Sequence, residues 1–131
     1  MLFNNIDPRK LFLIDAFGAF VSAVLLGVVL VRFEPVFGIP KDTLYFLAFI
    51  PCVFIVFDLV SYFLGQSKWR ILLKTIAIAN ICYCLLSFLL AIIHRDSLSI
   101  LGWIYILNEI VIILYIARIE YKRSHEKSQF K

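Results

Sequence analysis

The chain has 131 residues, 63% of them hydrophobic and 17% charged, against roughly 45–50% apolar in a soluble domain. A chain this short has too little interior to hide that excess, because a domain of its size leaves about a third of its unfolded surface exposed. A water-soluble globule is therefore excluded, and the surplus apolar surface must face lipid. The formal net charge of +4 does not point to nucleic acid, since no basic helix, recognition motif or aromatic-basic sheet pattern accompanies it. The basic residues stand in short connections and the tail, where membrane proteins keep charges that face anionic lipid.

In chain order, Asp7 and Pro8 read as an N-cap followed by proline at the first helical position. Four apolar runs follow, over 11–31, 43–64, 71–93 and 98–117. Each holds about 20 residues or more, enough at 1.5 Å per residue to cross a hydrocarbon core of roughly 30 Å. Strands of a membrane barrel are about 10 residues long and alternate, which these runs do not. Between the first two, Pro35, Gly38 and Pro40 break the helix, and Phe33 and Phe37 suit a membrane-surface anchor or a small cap. Gly65, Gln66 and Ser67 make a tight second turn, with Ser67 as N-cap of the third helix. His94 to Ser97 make the third turn, and the polar tail 121–131 is expected to fray. Short connections force neighbouring helices antiparallel. The expected fold is an all-α membrane protein, an up-down-up-down four-helix bundle in a single domain over 1–131.

The first run is not expected to be a cleaved signal peptide: its apolar core is longer than the usual 7–15 residues and contains Asp15. Ten Lys or Arg residues fall on the side of the N-terminus, second turn and tail, and three, Arg32, Lys41 and Arg95, on the other. By the positive-inside rule both termini are cytoplasmic, in a bacterial inner membrane. Cys52, Cys82 and Cys84 all lie inside apolar runs, an odd number without a CxxC spacing. They read as small packing residues, not as a disulfide framework or a metal site.

Acids inside a membrane are costly and mark candidate functional positions. The 14 Leu, Ile, Val and Phe residues of the first run offset the roughly 3 kcal/mol of a central Asp, so Asp15 is tolerated, and likewise Asp58 and Glu109. At 100° per residue, Asp15, Gly18, Ala19 and Ser22 share a face. Pro51, Phe54, Asp58, Ser61 and Tyr62 share another, with Pro51 withdrawing a donor from the Leu47 carbonyl. In the third run Ala77, Asn80, Cys84, Ser87 and Ala91 form a small-residue packing seam. In the fourth, Gly102, Tyr105, Glu109, Ile113 and Glu120 line up. Inward-facing stripes bring Asp15, Asp58, Asn80 and Glu109 into one polar cluster, with Lys74 as counter-charge.

The runs LFLIDAFGAFVSAVLLGVVLVRFEPVFGIP, TLYFLAFIPCVFIVFDLVSYF and IAIANICYCLLSFLL resemble a group of small uncharacterised bacterial four-helix integral membrane proteins. The resemblance runs through Asp15, Arg32, Glu34, Gly38, Pro40, Pro51, Asn80 and Glu109 and implies the four-helix setting over nearly the whole chain, without an activity. Small multidrug resistance transporters also have four short helices and an acid in the first, but the surroundings of Asp15 lack their pattern.

No Gly-rich phosphate loop and no HExxH or HxxxH pair occurs, so no catalytic residue, metal or cofactor is assigned. The leading expectation is a non-enzymatic accessory or packing subunit. The alternative is a small proton- or solute-translocating transporter that uses the intramembrane carboxylates. A lipid-modifying enzyme ranks behind both. Expected partners are the bilayer and either further copies of the chain or another membrane protein.

Overall fold

The computed structural model describes residues 9–65 and 67–125. The proposed cap at Asp7 and Pro8 and the tail beyond His125 lie outside the described residues. Four long helices form the bundle. α1 (Lys10–Arg32) runs as Lys10–Val24, a π-helical turn at Leu25–Val29 and a last piece at Leu30–Arg32. After the short α2 (Glu34–Phe37) come α3 (Lys41–Leu64), α4 (Trp69–Ile93) and α5 (Ile100–His125). Each long helix has a mean hydropathy of 2.1–2.5, and only 22–39% of each apolar stretch is buried within the chain. Most of the apolar surface therefore points outward, as in a multi-pass membrane protein.

Two boundaries differ from the sequence reading. α5 continues to His125, well past 117, and Arg123 and Ser124 are buried, so the stretch after Tyr121 begins as ordered helix. At the start of α4 the N-cap position is Lys68, with no side-chain cap. Ser67 sits one residue too early to meet the orphan N–H groups of the first turn.

α1 packs closely on α3, and α4 on α5. The α3–α4 contact is slighter, and α1 and α5 barely meet. The bundle is a ring of four with one seam left open. Lipid tails are as apolar as leucine, so close packing of small residues, not exclusion of water, holds such helices together. The buried Ala16, Ala19, Ala48, Ala77, Ala91 and Ala117 serve this. So does Gly27, where a Cβ would stand 3.3 Å from that of Ala48. One apolar cluster contains Leu26, Leu30, Leu44, Leu47, Tyr83 and Ile106; the second contains Leu11, Phe12, Leu73 and Ile76. Asp15 and Asn80 fall in sequence between the two. Only Cys84 of the cysteines is buried, with its Sγ 3.8 Å from the Ile110 carbonyl. Cys52 and Cys82 are on the outer surface, so the packing role belongs to Cys84 alone.

The end of the bundle that carries α2 is closed by hydrogen bonds. The Ser99 N–H donates to the Phe37 carbonyl at 3.0 Å, and its hydroxyl to the Val36 and Phe37 carbonyls. The same hydroxyl accepts the Gly102 N–H at 3.1 Å, an N-cap for α5. The Ser97 hydroxyl donates to the Gly38 carbonyl at 2.8 Å. Gly38 has φ 80°, a conformation that glycine adopts without strain, and a Cβ there would run into the Ser97 carbonyl. α2 is thus a cap across α5, one of the two roles expected of that loop. The half-buried His94 donates a ring N–H to Leu90 at 3.0 Å, closing the last turn of α4.

Candidate functional site

At the other end the interior is polar. Asn80, on the small-residue seam of α4, donates from Nδ2 to Asp15 Oδ1 at 2.7 Å and to Glu120 Oε1 at 3.2 Å. One amide thereby joins α1, α4 and α5. The carboxyl groups of Asp58, from α3, and Glu120 both neighbour the Asp15 carboxyl. All four long helices meet here. Asp58 and Glu120 are wholly buried, and Asp15 and Asn80 nearly so.

Donors are in short supply. Asp15 Oδ2, both oxygens of Asp58 and Glu120 Oε2 are buried without a hydrogen-bond partner among the described residues. Lys74, expected as the counter-charge, is exposed and lies elsewhere, its Nζ 5.9 Å from the ring centre of Tyr121. Arg9 is nearer this end of the bundle but is directed to α3. Its guanidinium donates to the Tyr62 carbonyl at 2.7 Å and stands 5.1 Å from the Tyr62 ring centre, a cation at a helix C-terminus. A buried ionised carboxylate costs several kcal/mol unless paired and hydrogen-bonded. Carboxylates in contact cannot all carry their charge at once. The group must therefore hold protons or a bound cation. Among the described residues no three His, Cys, Asp or Glu side chains are arranged to hold a metal ion.

Glu109 stands apart from this group. Its Oε2 accepts the hydroxyls of Tyr83 and Tyr105, each at 3.3 Å, so a carboxyl that is 8% exposed has two donors of its own. The expected single cluster is in fact two. Asp15, Asp58 and Asn80 come together with Glu120, and Glu109 forms a second site with two tyrosines.

A crevice of about 450 Å³ connects them. It follows the open seam between α1 and α5, with Asp15 and Asn80 at one end and Glu109 and Tyr105 at the other. The face of α1 picked out from the sequence, Asp15, Gly18, Ala19 and Ser22, forms one wall. Pro51 and Phe54 of α3 form its back. In comparisons with protein-family models, with curated proteins and with solved structures, nothing matches the chain. A functional reading thus rests on this geometry.

Sequence reasoning left Glu120 out of the site although it lay on the same stripe as Glu109. Eleven residues return to within about 20° of the same helix face. Ending the fourth span at 117 had put Glu120 outside the membrane helix, and only the continuation of α5 brings it back.

Proposed function

We propose that the protein is a proton-translocating membrane transporter of the bacterial inner membrane, with both termini cytoplasmic, in which Asp15, Asp58 and Glu120 carry the proton. The observation that supports it most is the mismatch between three neighbouring buried carboxyl groups and the one amide that, among the described residues, donates to two of them. A proton placed between Asp58 and Asp15 supplies the missing donor, and its departure restores the shortage, so the group is suited to holding protons that it can give up. Intramembrane acids facing a bundle interior are the common means of relaying protons across a bilayer. The orientation follows from the ten-to-three distribution of cations. No bond-making or bond-breaking step is assigned to the chain.

The accessory-subunit reading calls for acids matched within the bundle. Among the described residues Glu109 meets that description and Asp58 does not. The test is proton flux into liposomes containing the purified full chain, driven by a potassium diffusion potential and followed with an entrapped pH dye. We expect Asp58→Asn and Glu120→Gln to lower the flux at least about a hundredfold, the small end of what a positioned proton-transfer group contributes. Flux equal to that of empty liposomes, or unchanged in Asp58→Asn, returns the protein to the role of a packing subunit.

A further inference from the structure

The open seam between α1 and α5 carries a second consequence, because of what does and does not line it. The crevice holds about 450 Å³, within the roughly 300–1,000 Å³ of small-molecule sites. At its rim stand Phe17, 70% exposed, and Ile112, 58% exposed, both on the surface that faces lipid. A molecule reaches it sideways from the bilayer, without crossing the α2 cap. Among the described residues its walls contain no Lys or Arg, so an anionic head group has no partner there. The ionisable groups that line it are Asp15, Glu109, Tyr83 and Tyr105. Asp15 is 6% exposed, and its Oδ2 is buried without a donor. The aromatic side chains on the opposite wall include Phe54 and Tyr83, edge to face with ring centres 6.2 Å apart. Such rings attract organic cations through their faces. A hydrated metal ion gains nothing from walls so largely apolar.

We infer that this crevice is a side-entry site for a lipophilic monovalent organic cation taken from the bilayer, with the Asp15 carboxylate as its counter-ion. The inference rests on the proton-carrying reading of the same carboxyl cluster: the cation enters as that cluster gives up a proton, and charge in the interior is conserved. The groups that face Asp15 are Asp58 from α3, Asn80 from α4 and Glu120 from α5, none of them cationic. Glu109 with its tyrosine donors closes the far end. Gly18 marks the open floor of the crevice, since a Cβ built there meets nothing within 4 Å.

The test uses the full chain in lipid nanodiscs and two probes of nearly equal shape and opposite charge, tetraphenylphosphonium and tetraphenylborate, measured by equilibrium dialysis against empty nanodiscs. We expect saturable binding of the cation alone, with release of protons into a weakly buffered solution. Gly18→Leu, which fills the floor, and Asp15→Asn, which removes the counter-ion, should each weaken binding at least about tenfold, the size of one lost contact of about 1.4 kcal/mol. Equal uptake of both probes, no saturable component above empty discs, or unchanged binding in Gly18→Leu each overturns the inference. The comparison of the two probes needs no variant and stands even if a substituted chain does not fold. Failure here with proton flux still dependent on Asp58 removes the cation site alone. Saturable cation binding with flux indifferent to Asp58→Asn removes the proton reading alone.

Discussion

At the capped end of the bundle, Ser97 and Ser99 give their hydroxyls to the carbonyls of Val36, Phe37 and Gly38. At the opposite end, one amide, that of Asn80, serves Asp15 and Glu120, and among the described residues nothing donates to Asp58. The capped end makes these bonds at an exposed or half-buried surface, whereas the carboxyl groups are buried, in a bundle whose helices gain little from excluding water. The capped end has its donors and acceptors matched and is built to stay as it is. The carboxyl end has, among the described residues, an excess of acceptors, and the proposed proton-carrying role rests on that excess. Matching of polar groups, more than their number, separates a latch from a site.

Four substitutions can break or sharpen that contrast, each read as unfolding free energy in mixed micelles. The largest effect is expected for Gly38→Ala, which pairs a left-handed backbone with a collision at the Ser97 carbonyl, at a cost of about 3 kcal/mol. A neutral result would mean the cap is loose and the contrast false. Next is Asn80→Leu, which strips Asp15 Oδ1 and Glu120 Oε1 of their donor and should cost about 2 kcal/mol. If it is silent, the amide does not hold the carboxyl end together. Ser99→Ala removes the α5 N-cap and the hydroxyl bonds to α2, for about 1 kcal/mol. The smallest effect, and the most telling, is expected for Asp58→Asn. It replaces a buried acceptor with a group that donates, so stability should hold or rise by about 1 kcal/mol while proton flux falls. A clear loss of stability would show that Asp58 is already matched.

Four apolar runs, three short connections and the inward stripes of α1, α3 and α4 were legible in the sequence, because length and helical period determine them. Asp15, Asp58 and Asn80 were placed on those stripes and do meet. Two features were not legible. The polar composition after Ala117 hid the last turns of α5, where Glu120 and Arg123 are buried by packing that no local pattern announces. The division of the acids into two sites depends on the reach of the Tyr83 and Tyr105 hydroxyls, which separates Glu109 from the rest. Lys74, expected as the counter-charge, is exposed and has its Nζ over the Tyr121 ring instead.

The π turn at Leu25–Val29 has a bearing on how such a chain can change length. A turn of this kind is what an α-helix becomes on taking in one extra residue, and it restores ordinary helix on losing one. α1 therefore contains a place where a single codon can be removed. The stretch carrying Asp15 and Gly18 would then keep its facing relative to the stretch that begins at Leu30, because the wide turn already absorbs the residue that would otherwise turn them about 100° apart. A related gene shorter by one residue in this segment can therefore keep the same residues on the wall of the crevice.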